Sequence, residues 1–156
     1  MPRRKLINKK ELQPDPLYGN ILITQFVGKL LQEGKKQRAM KIMYGALNIA
    51  SEKTKNKPVE VLEAAIDRVR PVVEVRPRRI GGATYQIPTE VPYEKGVSLA
   101  IKWIITSSRK KKGKPMMIKL ANEFIDAFNK TGDAYKKRED THRMAEANKA
   151  FAHFKW

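Results

Sequence analysis

Apolar residues recur at intervals of three and four in five separate stretches of this 156-residue chain, a pattern typical of amphipathic helices. The first stretch begins after Asn20, a residue that favours helix starts, and Gly34 stands where a C-terminal cap is expected. The others run from about residue 35 to 55, from Pro58 to the residue before Pro71, from just after Pro92 to about residue 109, and from Pro115 to near Gly132. This periodicity predicts a mainly α fold.

One segment breaks the helical period. Residues 72 to 89 have the pattern of two short strands around Gly81 and Gly82, a pair that suits a hairpin turn. Pro77 and Pro88 cannot donate hydrogen bonds to a ladder, so neither strand can lie in the middle of a sheet. The sequence therefore predicts a bundle of about six helices with a protruding two-stranded β-ribbon between the third and fourth helices, plus a basic N-terminal arm.

The predicted ribbon is rich in arginine. With the two glycines as the turn, Arg78 lies opposite Tyr85 and Arg76 opposite Ile87, and all four side chains share one face. Arginine binds phosphate oxygens through two parallel hydrogen bonds and stacks on bases, so we interpret these arginines, with Arg79, as nucleic-acid ligands. The alternative is a solvated hairpin whose cations prevent edge-to-edge aggregation. Because an isolated hairpin is marginal in water, we expect the ribbon to gain order from a partner.

The charge balance points to a polyanionic partner. Lysine and arginine number 33 against 16 acids, which gives a net charge of +17, and cysteine is absent, which excludes disulfides and cysteine-bound metals. The N-terminus lacks the apolar core of a signal peptide, and the best apolar stretch, 97–105, is well below the ~20 residues that span a bilayer. A soluble chain of the cytoplasm, or of an organelle after import, is expected.

Known catalytic patterns do not fit the chain. His142 and His153 have no cysteine or carboxylate at a spacing that favours a metal site. The segment from Gly28 to Gly34 departs from the phosphate-binding loop and is predicted to be helical, and Ser98 lacks the strand and the second glycine of a nucleophile elbow. We therefore expect neither an enzyme nor a cofactor.

Three further basic clusters carry the charge. Lys35 and Lys36 stand at a predicted helix start, where the helix dipole disfavours each exposed cation by about 0.3 to 1 kcal/mol. We interpret them as an anion site shared with the helix N-terminus, the alternative being two tolerated lysines. The segment 109–114 has five basic residues in six, although cations at a helix end are favourable without any ligand. The N-terminal arm, 1–18, adds a third cluster.

The C-terminal region differs from the five amphipathic helices. A sixth helix, which Asp133 could cap, is polar on most faces over 135–148, so it is expected either to lean on something beyond its own domain or to be partly frayed. An aromatic tail with Phe151, Phe154 and Trp156 follows and either folds back on the bundle or stacks on an external partner. The predicted organisation is an arm over 1–18, a bundle over 19–149 with the ribbon at about 72–89, and a tail over 150–156.

Three long motifs decide between DNA and RNA. They are GKK at 34–36 leading into AMKIMY at 39–44, EVRPRRIGGATYQIP at 74–88, and RMAEANKAFAHFKW at 143–156. They resemble the bacterial-type seventh protein of the small ribosomal subunit, and the likeness covers the whole chain in order. The resemblance implies six helices with a ribbon between the third and fourth, in agreement with the periodicity. An architectural DNA-binding protein is the alternative function.

The resemblance also implies a function and its residues. Family members bind the 3′ major domain of small-subunit rRNA, nucleate assembly of the subunit head, and lie near the exit-site tRNA and the mRNA exit path. The expected protein neighbours are the ninth and eleventh of the small subunit, on a cytoplasmic or an organellar ribosome. The implied rRNA contacts are Arg3, Arg4, Lys5, Lys9, Lys10, Lys35, Lys36, Arg109, Lys110, Lys111, Lys112 and Lys114; those near tRNA and mRNA are Arg76, Arg78, Arg79, Tyr85, Lys136, Lys137 and Arg143.

Overall fold

Six α-helices form in the order that the apolar periods predict, and a two-stranded ribbon separates the third from the fourth. The computed structural model describes residues 11–154. The helices are α1 (Ile21–Leu30), α2 (Lys36–Thr54), α3 (Pro58–Val69), α4 (Tyr93–Lys110), α5 (Met116–Phe128) and α6 (Gly132–Ala147); the strands are β1 (Val73–Ile80) and β2 (Ala83–Glu90), and a 3₁₀ helix covers Lys149–Phe154. The predicted fold class is confirmed.

Local signals set most helix ends, with two exceptions. Asn20 caps α1 as predicted, because its Oδ1 accepts a hydrogen bond from the Leu22 N–H at 2.7 Å. The expectation that Gly34 caps the end of α1 is wrong: the helix closes at Leu31, and Gly34, with φ +72°, lies in the turn into α2. Asp133 does not cap α6 either, since the helix starts one residue earlier, after Thr131.

The core lies between the apolar faces of all the α-helices except α6, which adds one small residue. α5 is central and packs against α2, α3, α4 and α6. Its Phe124 is fully buried and meets Phe26 of α1 edge to face, with ring centroids 5.3 Å apart. Gly45 of α2 allows the close approach of α5, since a Cβ at this position would overlap Met117. The core therefore fixes the helix ends that carry the basic clusters.

The ribbon has the predicted register. Arg78 pairs with Tyr85 and Arg76 with Ile87 in an antiparallel two-stranded sheet. Gly81 and Gly82 have φ values of +56° and +87°, the left-handed conformations that a tight hairpin turn requires. The sequence signal was sufficient here because turn chemistry and register are both local properties.

The C-terminal region packs along the ribbon. Helix α6 buries Ala134 and Ala145 and contacts both strands as well as α3, α4 and α5. Phe151 and Phe154 lie against Tyr85 of β2. Helix α6 is therefore supported by elements of its own predicted domain, the ribbon among them, and the two phenylalanines of the tail fold back on the ribbon. Trp156 lies outside the described residues.

The chain contacts the bundle before α1 begins. Asp15 is 4% exposed, and its carboxylate accepts hydrogen bonds from the Leu17 and Tyr18 N–H groups at 3.1 Å and from the Tyr44 hydroxyl at 2.7 Å. Burial, with the hydrogen bond to Asp15, raises the pKa of Tyr44 to about 12. Asp15 and Tyr18, within the predicted arm, thus contact α2. The arm cations Arg3, Arg4, Lys5, Lys9 and Lys10 lie outside the described residues.

Candidate nucleic-acid interface

Two of the predicted basic clusters meet at one end of the bundle. An Nη2 of Arg109, in the last turn of α4, donates to the carbonyl oxygen of Leu30 at 3.2 Å, so α4 ends beside the end of α1 and the turn into α2. Met117 at the start of α5 packs against Gly45 of α2. We give the name end surface to seven exposed cations of this region, leaving out Arg109, whose guanidinium bonds Leu30; they are Lys35, Lys36, Arg38, Lys41, Lys110, Lys112 and Lys114.

The start of α2 is open on the end surface. No side chain in the described part of the protein caps this helix at Lys35, whose ammonium pairs with Glu33. The first N–H groups and the dipole of the helix thus lie beside the exposed ammonium of Lys36. Arg38 and Lys41 were not predicted as RNA-binding residues from the sequence. Arg38 lies three residues after Lys35 and Lys41 three residues after Arg38, and both are exposed on α2. This arrangement suits phosphate oxygens.

Lys111 occupies a different environment from the other lysines of its loop. Its Nζ lies 2.6 Å from Glu123 Oε2 and 3.0 Å from Asp126 Oδ2, and the Glu123 side chain is fully buried. Glu123 Oε1 also accepts the N–H of Ala134 at 3.0 Å, in the first turn of α6. Burial lowers the pKa of Lys111, but the two carboxylates outweigh it and hold the pKa above its ordinary value. Lys111, which was predicted to bind RNA, therefore connects the loop after α4 with α5 and, through Glu123, with α6.

The ribbon has an inner and an outer face. The inner face carries Arg76, Arg78, Tyr85 and Ile87, as the register predicts, and it is turned towards the protein: Ile87 is 2% exposed and Tyr85 meets the tail aromatics. Arg78 is exposed, yet one of its Nη atoms donates to the Phe154 carbonyl oxygen at 3.1 Å. The outer face of the tip presents four exposed residues, namely Pro77, Arg79, Thr84 and Gln86.

The base of the ribbon is held by charge. Arg76 Nε lies 2.6 Å from Glu74 Oε1, and the ammonium of Lys95 pairs with the same carboxylate. Burial would raise the pKa of Glu74, but its hydrogen bonds to Lys95 and Arg76 hold that pKa below its ordinary value. Arg76 therefore forms an ion pair within the protein. Arg79 lies on the other face of the ribbon and is exposed to solvent.

Helix α6 runs from Glu123, which it shares with Lys111, to the ribbon base, and it adds cations along its length. Lys136, Lys137 and Arg143 are exposed, and the Arg143 guanidinium lies 3.7 Å from the Asp140 carboxylate. Between the ribbon and this helix, the Val72 N–H donates to His142 Nε2 at 3.1 Å. Burial, with the nearby Arg138, lowers the pKa of His142, so its ring is neutral near pH 7 and serves as an acceptor.

The end surface and the ribbon lie at opposite ends of α4. This helix has 18 residues and is about 27 Å long, with Tyr93 beside the ribbon base and Lys110 on the end surface. The predicted clusters thus form two separate cationic surfaces. Within residues 11–154, no group of three His, Cys, Asp or Glu side chains could hold a metal ion, and no helix is long and apolar enough to cross a membrane.

The family model and the curated relatives that match the chain agree with one another. The family model described as Ribosomal protein S7p/S5e matches residues 2–149. The small ribosomal subunit protein uS7 of Dictyoglomus turgidum is 54% identical over 156 residues, which covers 100% of both chains. Proteins of the same name from Petrotoga mobilis and Thermotoga maritima are 54% and 53% identical over 154 residues, which covers 99% of each chain.

Proposed function

We propose, because the chain belongs to the ribosomal protein S7p/S5e family, that it binds the 3′ major domain of small-subunit rRNA directly and there nucleates assembly of the subunit head. Membership of the family confirms the resemblance on which this expectation depends. It also confirms the coarser predictions of a structural ribosomal protein that takes part in translation and is not an enzyme.

The observation that carries the rRNA proposal is the end surface. Seven exposed cations from the start of α2 and from the loop between α4 and α5 meet beside an uncapped helix start. Helix N–H groups and lysines both bind phosphate oxygens, and the cations gathered here repel one another unless an anion separates them. A folded RNA presents phosphates from several strands at once, which fits a surface built from two elements. The arm cations would extend this contact.

The ribbon and α6 make up the second proposed surface, near exit-site tRNA and mRNA. The ribbon is separated from the end surface by the length of α4, which allows one protein to hold rRNA while it faces a second RNA. Arg79, Thr84 and Gln86 are exposed on the outer face of the tip, and Lys136, Lys137 and Arg143 are exposed on α6. The proposed protein neighbours are the ninth and eleventh proteins of the small subunit. The bacterial relatives support a cytoplasmic ribosome.

Competition binding tests the proposal against a DNA-binding function. A fragment of the 3′ major domain and a DNA duplex of equal charge compete for the full-length chain at about 0.15 M salt. We expect the structured rRNA fragment to win by at least tenfold, because several helices of a folded RNA can meet both elements of the end surface. Equal affinity for the two nucleic acids would refute the ribosomal proposal and favour the architectural DNA-binding alternative.

A matched pair of lysines on α2 tests the end surface. Lys36 and Lys53 are both exposed, and they lie at opposite ends of the same helix. We expect Lys36→Ala to weaken rRNA binding severalfold and to lower the slope of log affinity against log salt by about 1, the loss of one phosphate contact. The control, Lys53→Ala, removes the same charge and is expected to leave both quantities unchanged. Equal losses in the two variants would show that only bulk charge matters.

A further inference from the structure

The inner face of the ribbon is covered by the C-terminal segment of the same chain. The Tyr85 ring packs against two aromatic rings, with centroids 5.3 Å from Phe151 and 5.7 Å from Phe154. Phe151 and Phe154 are themselves nearly parallel, at 16° and 6.4 Å. The Phe154 carbonyl oxygen accepts a hydrogen bond from Arg78 on the other strand. One short 3₁₀ helix therefore contacts both strands.

These contacts lie in the half of the ribbon near the turn, beyond the contacts that anchor its base. The base is anchored by the Val72 N–H bond to His142, by the Val91 N–H bond to the Val72 carbonyl and by the Glu74 ion pairs. Arg78 and Tyr85 form the third residue pair from the Gly81-Gly82 turn. A hairpin without a packed face is marginal in water, so the aromatic contacts supply order where the ribbon would otherwise lack it.

The same contacts determine which residues remain for a ligand. Because side chains alternate across a strand, covering Arg78 and Tyr85 leaves the neighbouring Arg79 and Thr84 on the opposite face. Both are exposed. Fixing the inner face against the tail thus fixes the direction in which the outer face points. A surface ordered in advance avoids the entropy cost of ordering at the moment of binding.

We propose that Lys149–Phe154 is a clasp that orders the ribbon tip in the free protein and sets Arg79 outward for RNA. The claim that the clasp orders the ribbon tip does not depend on the proposed function. The claim that it sets Arg79 outward for RNA rests on that function. The clasp replaces the expectation from sequence that a partner is needed to order the ribbon. It also gives Tyr85 a positioning role in place of the direct contact with tRNA or mRNA that the resemblance implies.

Amide hydrogen exchange of the free, full-length protein tests the ordering. In the variant Phe151→Ala/Phe154→Ala, we expect the amide protons of β2 to exchange about tenfold faster, because two aromatic pairs are lost. The amide protons of α5, in the core, are expected to keep their rates. The controls are Ala152→Ser, an exposed residue of the same segment, and Tyr85→Phe, which keeps the ring; both should match the native protein. Unchanged exchange in the double variant would overturn the clasp.

Reconstituted small subunits test what the clasp does for RNA. We expect the double variant to lower the affinity for exit-site tRNA severalfold, and Arg79→Ala to do the same, while binding of the rRNA fragment is unchanged. Higher tRNA affinity in the double variant would mean that the tail competes with RNA, and would refute the proposal. If Arg79→Ala weakens tRNA binding and the double variant does not, presentation of Arg79 by the clasp is refuted. If neither variant weakens it, the proposed tRNA surface fails, and hydrogen exchange alone decides the clasp.

Discussion

Adjacent lysines in the loop between α4 and α5 have different physical roles. The Lys111 ammonium compensates a carboxylate that is fully removed from water, whereas Lys112 is exposed. Removing one partner of a buried ion pair leaves the other charge without compensation, which costs far more than removing a surface charge. Glu123 would also still hold the first turn of α6 through the Ala134 N–H. Lys111 therefore attaches the loop to α5, whereas the side chain of Lys112 is free to contact a ligand.

We predict opposite consequences for these two lysines. Lys111→Ala should lower the free energy of unfolding by about 2 to 4 kcal/mol, since Glu123 stays buried without its cation. Lys112→Ala should change it by less than about 0.5 kcal/mol and weaken rRNA binding instead. Urea denaturation and binding of the rRNA fragment measure the two effects. As a control, Lys111→Met/Glu123→Gln removes both charges and keeps an acceptor for Ala134, so it should recover stability. Equal stability of the two alanine variants would contradict the conclusion that Lys111 compensates the buried charge of Glu123.

The role of Lys111 was not predictable from its own segment, because the five basic residues among the six at 109–114 are chemically alike. A signal did exist in α5. Glu123 lies three residues after Leu120 and four before Ala127, so it falls on the apolar stripe that predicted the helix. A carboxylate on a buried stripe requires a cation, but the sequence could not show which lysine supplies it, since that depends on how α4 and α5 are placed.

At the scale of elements, local signals predicted most of the fold. Five helices followed from apolar periods and prolines, and the strand register followed from Gly81 and Gly82. The sequence could not show which face of the ribbon meets the protein, because both faces carry arginine. The packing of α6 and the tail decides this point. Arg76, Arg78 and Tyr85 consequently lie on the inner face, while Arg79 lies on the outer face.

The hydrogen bond between α6 and the ribbon base should depend on pH. The folded protein holds the pKa of His142 below its ordinary value through burial and Arg138, with Glu139 opposing, so the unfolded chain binds the proton more readily. This contribution to stability is complete above the unfolded pKa of about 6.5 and is lost as the pH falls through that value towards the folded pKa. Protonation of Nε2 also removes the acceptor for the Val72 N–H.

We therefore predict that acidification from about pH 7.5 to 5.5 destabilises the native protein more than His142→Gln. Glutamine offers a carbonyl acceptor to Val72 and does not titrate. The difference should be up to about 1 kcal/mol, the size of one hydrogen bond. Thermal denaturation at the two pH values measures stability, and exchange of the Val72 amide proton reports the site itself. An identical pH response of the two proteins would contradict a role for His142.

At the scale of the whole molecule, the charge of +17 is unevenly distributed. The end surface gathers seven exposed cations at one end of α4, the ribbon carries others at the far end, about 27 Å away, and α6 carries more between these two ends. Internal pairs such as Lys111 with Glu123 neutralise cations inside the fold. The remaining repulsion acts within and between the two surfaces. This repulsion between cations destabilises the free protein, and RNA phosphates would reduce it.

This repulsion predicts that KCl moves stability and RNA affinity in opposite directions. Raising KCl from about 0.01 to 1 M shortens the screening length from about 30 to 3 Å, which removes repulsion even between the two surfaces. The Tm of the free protein should rise, while rRNA affinity falls as counterions compete for the phosphates. The control, Lys110→Gln/Lys112→Gln/Lys114→Gln, removes three exposed charges from the end surface and should show a smaller rise in Tm. A Tm that falls with salt in both proteins would mean that attractive ion pairs outweigh the repulsion, and that the end surface is already balanced before RNA arrives.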